Sequence, residues 1–224
     1  MPETVLVVAA HGDDEALGCG GTMARHKAHG DAVHTLLLAD GVTSRGCVAD
    51  PGLRKAAAAK AAQLLGSEQP RFLGFPDNRL DTVALLDVVQ AVEKVVEELY
   101  PNIIYTHHGG DLNIDHVITH RAVMTACRPV PNQSVCAIYG FEVQSSTEWG
   151  SVDQDNHFRP TRFVEITDQL ETKLAALDCY KDEMRAFPHT RSSEAVEALA
   201  RLRGSQVGLM AAEAFTVLRQ VKPQ

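Results

Sequence analysis

The sequence predicts an α/β fold, a mostly parallel sheet with helices on both faces. Short apolar runs alternate with helical patterns from residue 5 to residue 127, which is the signature of strand–helix–strand units. The strongest of those runs are apolar at every position, as strands covered on both faces require. The runs also lead directly into polar residues, and ligands of open α/β sheets bind at the carboxyl ends of the strands.

The elements follow in order. Residues 5–10 form a buried strand, and residues 22–29 a short helix closed by Gly30. Residues 33–39 are a second buried strand, ended by the turn Asp40-Gly41. Residues 42–52 form a polar loop with Ser44, Arg45 and Gly46, expected along the same edge as His11. Residues 53–65 are Ala-rich and helical, ending at Gly66. Residues 71–75 make a third strand, followed by the turn Pro76-Asp77-Asn78.

Residues 83–100 carry Leu85, Val88, Val89, Val92, Val95, Val96 and Leu99 on one helical face, and Pro101 stops the helix. Residues 103–106 are a fourth strand, and a helix over 117–127 follows. Residues 136–143 and 162–166 read as later strands. Between them, residues 144–160 are polar and irregular and hold the single tryptophan, Trp149. Residues 167–185, 193–203 and 205–219 read as helices.

Composition narrows the function. A chain of 224 residues, 45% hydrophobic, suits a single domain over 1–224, with a C-terminal strand and helix appendage. A net charge of −8 without a basic stripe argues against a nucleic-acid partner. No apolar run approaches membrane-spanning length, and residues 1–10 lack the basic start of a signal peptide. The five cysteines, at 19, 47, 127, 136 and 179, form no C-x-x-C pair. That fits a reducing cytoplasm rather than a disulfide framework. A homo-oligomer is expected.

The chemistry concentrates at two strand tips. The first carries His11, Asp13, Asp14 and Glu15, followed by Gly18, Gly20 and Gly21. Three readings compete: an acidic helix start, a dinucleotide loop and a metal site. The dinucleotide pattern G-x-G-x-x-G fails because residue 23 is Met, and three acids would meet a pyrophosphate. The metal reading uses His11 with one or two aspartates, a donor set suited to zinc. The second tip carries His107, His108, Asp111, Asn113, Asp115 and His116. Parallel strands would bring both tips to one edge, where His11, Asp14 and His116 would leave a coordination position open. His120, four residues after His116, is the rival ligand.

Ala10-His11-Gly12-Asp13-Asp14-Glu15 resembles the A-H-P-D-D-E motif of the LmbE-like, or PIG-L, deacetylases. Asn113-Ile114-Asp115-His116 is similar to their second motif. Leu53-Arg54-Lys55-Ala56, Gly74-Phe75-Pro76-Asp77 and Ala212-Glu213-Ala214-Phe215 fit as well. The resemblance implies a Rossmann-like fold, one zinc ion and hydrolysis of an N-acyl amide, usually an acetamido sugar. Carried over by motif, His11, Asp14 and His116 are the ligands and Asp13 the general base. Arg54 and Asp77 match positions that contact the sugar or its substituents, and His108 and Asp111 are expected beside them.

Two departures stand out. Gly12 replaces the usual Pro, and Asn113 stands where many members carry a His. Asn113 would hydrogen-bond an oxyanion without delivering a proton, so the acid for the leaving amine falls to His189, His108 or Asp13. Asp115 would hold a histidine or a substrate hydroxyl. The alternatives are a metal-dependent amidase acting on a non-sugar amide and a non-catalytic sugar- or nucleotide-binding module.

Overall fold

The computed structural model describes residues 2–41, 51–150 and 156–222. Its strands are β1 (Thr4–Ala9), β2 (Ala32–Ala39), β3 (Arg71–Phe75), β4 (Ile103–His107), β5 (Ala137–Phe141), β6 (Arg162–Glu165) and β7 (Ala212–Gln220). Its helices are α1 (Asp14–Ala28), α2 (Pro51–Leu65), α3 (Leu85–Leu99), α4 (Ile114–Ala126), α5 (Leu170–Leu177) and α6 (Ser193–Ser205). The strands form one sheet in the order β3-β2-β1-β4-β5-β7-β6. Strands β1 to β5 run parallel, and β7 lies antiparallel to both β5 and β6.

Alternation along β1 divides the core. Val5, Val7 and Ala9 join Leu17, Ala61 and Leu177 beneath α1, α2 and α5. Leu6 and Val8 join Val88, Val92 and Val123 beneath α3 and α4. Such continuous burial is why the strand is apolar at every position. The chain winds outward from β1 to β3 and then returns to β4. That reversal opens a crevice between the carboxyl ends of β1 and β4.

Four boundaries differ from the sequence reading. Helix α1 starts at Asp14, so Gly18, Gly20 and Gly21 lie inside it rather than in a turn before residue 22. These glycines allow close packing. A Cβ at Gly18 would collide with the Phe141 ring, and one at Gly21 would lie 2.8 Å from Ile166. Helix α4 starts at Ile114 because the Asn113 side chain accepts a hydrogen bond from Asp115 N and caps it.

The helix expected over 167–185 is confined to Leu170–Leu177, flanked by 3₁₀ turns at Thr167–Gln169 and Asp178–Tyr180. The helix expected over 205–219 is instead strand β7. Its Ala, Glu, Leu, Arg and Gln favour helices, but pairing with β5 and β6 overrides that preference. The loop with Ser44, Arg45 and Gly46 lies outside the described residues.

Gly18→Ala is expected to cost about 1–3 kcal/mol by overpacking against Phe141. Urea unfolding would read this as a lowered midpoint. An unchanged midpoint would mean that α1 does not press on β5.

Candidate functional site

The chain turns sharply where β1 ends. Asp13 has φ 128° and ψ −32°, backbone territory that favours glycine. Neighbours hold it there. Asp13 N donates to Glu15 Oε2 at 3.0 Å, while the Asp13 carbonyl accepts from Ala16 N and Leu17 N at 3.1 and 2.9 Å. Glu15 is buried and accepts a hydrogen bond from the Tyr180 hydroxyl. Burial pushes its carboxyl up to about 7, against the hydrogen bonds from Tyr180 and Asp13. Strain at a site-forming residue, fixed by dedicated partners, is a common mark of function.

This turn aims Asp14 into the crevice. Asp14 Oδ2 accepts from His11 N at 2.9 Å and lies 3.1 Å from His11 Nδ1 and 3.2 Å from His116 Nε2. Asp14 is 0% exposed. Burial alone would raise its pKa, yet His116 and His11 hold the carboxyl well below its usual range.

Each histidine has a carboxylate behind it. His11 Nε2 lies 3.1 Å from Asp115 Oδ2 and 3.2 Å from Asp77 Oδ1. His116 Nδ1 lies 3.1 Å from Asp111 Oδ1. Burial lowers both imidazole pKa values, but the carboxylates outweigh it. Asp115, Asp14 and Asp77 hold His11 well above its ordinary value, and Asp14 and Asp111 bring His116 to about 9.

The carboxylates are themselves anchored. Asp115 accepts from Asn78 N at 2.7 Å and Leu80 N at 2.9 Å. Asp111 accepts from the Ser146 hydroxyl, from Asn113 N at 2.9 Å and from Thr147 Oγ1 at 2.6 Å. Burial would raise the Asp111 pKa, but His116 and the two hydroxyls bring it to about 2.

These side chains fit a metal ion. One ligand atom from each of His11, Asp14 and His116 lies within 4.8 Å of the others. Asp14 Oδ1 and His116 Nε2 are buried without a hydrogen-bond partner. Buried polar atoms are normally satisfied, so two such atoms within one His/Asp grouping fit a bound partner. A histidine backed by a carboxylate is also the usual outer arrangement of a metal-binding imidazole. His11, Asp77 and Asp115 form a second such grouping, but there Asp115 is already occupied by backbone N–H groups.

The rest of the expected set divides. Asp13, Arg54, Asp77 and Asn113 line a polar cavity of about 90 Å³ with His11. Asn113 Nδ2 donates to Asn78 Oδ1 at 3.2 Å. Asp111, expected beside substrate, is turned onto His116. His108 points to Asn156, with Nε2 2.9 Å from its carbonyl, and packs edge-on against Phe158. His120 stands in neither metal-binding grouping of the described residues, and its Nδ1 donates to the His107 carbonyl at 2.9 Å. His189 stands outside the cavity lining, accepting from Arg191 N at 3.1 Å and facing Trp149 edge-on.

Three residues were missed. Arg191 Nη1 donates to Asp13 Oδ2 at 2.8 Å, and Arg54 pairs with buried Glu183 beside it. Burial pushes the Asp13 carboxyl up to about 6 despite that guanidinium. His107 is buried, stacks on His116 with 3.9 Å between ring centroids, and its Nε2 accepts from Ala10 N at 2.8 Å. Accepting there leaves the ring proton on Nδ1, and burial holds His107 neutral. Arg191 sits two residues beyond His189, in a loop where a lone arginine has no local pattern to mark it. Nothing in the sequence marks Glu183.

Fold and site together define an α/β protein with a histidine–carboxylate centre at the sheet's switch point. The chain belongs to the family described as PIG-L: GlcNAc-PI de-N-acetylase, whose model matches residues 6–127. It is 31% identical over 183 residues to the uncharacterized deacetylase YaiS of Escherichia coli K12, covering 79% of this chain and 90% of that one. Its fold is similar to N,N'-diacetylchitobiose deacetylase from Pyrococcus horikoshii, with TM-score 0.79, 19% identity and coverage of 97% and 84%. It is also similar to GalB, the 4-carboxy-2-hydroxymuconate hydratase of Pseudomonas putida KT2440, with TM-score 0.77, 20% identity and coverage of 99% and 98%.

Asp115→Ala would strip the acceptor from two backbone N–H groups and from His11. A loss of about 1–3 kcal/mol in unfolding free energy is expected, measured in urea. Wild-type stability in that variant would remove Asp115 from the framework of the site.

Proposed function

We propose that this protein is a zinc-dependent N-deacetylase acting on an acetamido sugar or sugar conjugate, as one domain over residues 1–224, in the cytoplasm. The observation that carries the reading is the triad His11, Asp14 and His116. Two of its buried atoms lack partners, and both imidazoles are backed by carboxylates. The sugar is supported by the family description and by the chitobiose deacetylase among the fold's neighbours. Among the described residues, no helix is long and apolar enough to cross a membrane.

His11, Asp14 and His116 would hold the zinc, which when bound makes water more acidic and polarises the amide carbonyl. The remaining work falls to the chain. Asp13 takes the proton of the attacking water and orients its oxygen toward the carbonyl carbon. Arg191 keeps the Asp13 carboxylate in place. Asn113 Nδ2 carries a second hydrogen beyond the one given to Asn78, and we assign it to the developing oxyanion. The C–N bond then breaks. With His189 and His108 outside the cavity lining, Asp13 returns its proton to the nitrogen, and acetate and a free amine leave. Arg54 and Asp77 contact the sugar or its substituents. Asp115 and Asp111 hold the two histidines.

Elemental analysis of protein purified without added metal is expected to find about one zinc per chain, lost in His11→Ala. Metal-free wild type that takes up none when zinc is supplied would overturn the zinc reading. Asp13→Asn is expected to retain metal and lose roughly 10²- to 10⁴-fold in turnover. Acetate release from N-acetylglucosamine and N,N'-diacetylchitobiose, beside N-acetyl peptides, is the assay. Release from peptides alone would replace the sugar with a non-sugar amide, and release from none would favour a binding module.

A further inference from the structure

Helix α1 is broken one turn after Asp14, and two side chains from distant parts of the chain fill the break. In a regular helix Gly21 N–H would donate to the Leu17 carbonyl. Cys19, at φ −148° and ψ 22°, opens that bond. Gly21 N donates instead to Glu213 Oε1 at 2.9 Å, and Thr22 N to Glu213 Oε2 at 2.7 Å. The Leu17 carbonyl accepts from Lys173 Nζ at 2.7 Å. Lys173 Nζ also donates to Glu213 Oε1 at 2.6 Å, which closes the circuit. Lys173 comes from α5 and Glu213 from β7, and both are buried.

We propose that the Lys173–Glu213 pair is a positioning device for the metal site, holding α1 in the bent form that brings Asp14 to His11 and His116. The metal readout of this proposal rests on the zinc reading above. A straight helix would satisfy the Leu17 carbonyl and the Gly21 amide internally and need neither charge. Burying an ion pair is a poor way to gain stability, because desolvation consumes most of the attraction. The pair is therefore accounted for by geometry. Gly18 seats the first half of α1 on Phe141, and Gly21 seats the second half on Ile166. Straightening the helix would shift the first half, whose opening residue is Asp14.

The test compares the full-length wild type with Glu213→Gln, with the double variant Lys173→Met/Glu213→Gln, and with Val92→Ala. Val92 lies in the core on the opposite face of the sheet and controls for lost stability alone. Cobalt(II) is titrated into metal-free protein, with its visible spectrum recorded and its affinity set by chelator competition. Glu213→Gln is expected to lose roughly 10- to 100-fold in affinity, as outer-sphere substitutions do, and to change the cobalt spectrum. The double variant, freed of an unpaired buried charge, is expected to regain stability but not affinity. Val92→Ala should lose stability and match wild type in cobalt affinity and spectrum.

Nitrogen NMR of the histidine rings in metal-free protein provides a second readout. His11 Nδ1 and His116 Nε2, which face Asp14, are expected to shift in Glu213→Gln and not in Val92→Ala. Wild-type resonances in Glu213→Gln, or an affinity loss in Val92→Ala equal to its own, would overturn the proposal. If wild type binds no cobalt, the zinc reading falls and the ring shifts alone decide this one.

Discussion

The Asp14 carboxylate, buried between His11 and His116, is the contact on which the rest of the site depends. Taking an ionised carboxylate fully out of water is expensive unless cations and hydrogen-bond donors replace its hydration. Here the replacement comes from two imidazoles and the His11 amide. Those imidazoles need partners of their own, and Asp115, Asp77 and Asp111 provide them. Asp115 and Asp111 are then tied down by backbone amides and hydroxyls. The result is a set of nested shells with Asp14 at the centre, in which charge is conserved outward.

The fold explains why such a cluster forms at all. Six acids, Asp13, Asp14, Glu15, Asp77, Asp111 and Asp115, come from three separate segments and would repel in open solvent, and no local sequence could hold them together. The reversal of strand order between β1 and β4 places two strand tips side by side with nothing between them. One tip carries His11 and the start of α1, the other His107 and the start of α4. Asp115 then reaches across to the turn after β3 through Asn78 and Leu80, so a third strand tip is fastened to the other two.

How much of this was legible in the sequence depended on locality. Strands β1 to β4 could be read because continuous apolar runs have few other uses, and the grouping of His11, Asp14 and His116 because its members lie at or just beyond the tips of those runs. The start of α1 could not be read, because glycines read as a turn from sequence alone and their actual use, close approach to Phe141 and Ile166, is a tertiary fact. Strand β7 was misread for the same reason, its helical preference being overruled by its two neighbours in the sheet. Arg191 and Glu183 reach the cavity from a part of the chain more than a hundred residues away from Asp13, a separation that local pattern cannot bridge. His107 lies in plain view at the end of β4, but only the hydrogen bond it accepts from Ala10 N shows which ring nitrogen is unprotonated.

The hydratase among the fold's neighbours sharpens what the site must contribute. A fold shared with proteins named as a hydratase and as a deacetylase does not by itself select a reaction. Selection must come from side chains that differ in what they hold and where they put a proton. In this chain the candidates are few: Asp13, gripped by Arg191 in a backbone conformation that glycine would adopt more easily, and Asn113, whose carbonyl is spent on capping α4 and whose amide faces the cavity. On the proposed reading, an asparagine that cannot give up a proton leaves Asp13 to act at both ends of the reaction. A buried carboxylate whose proton affinity is raised by desolvation and lowered by a guanidinium is suited to take a proton and return it.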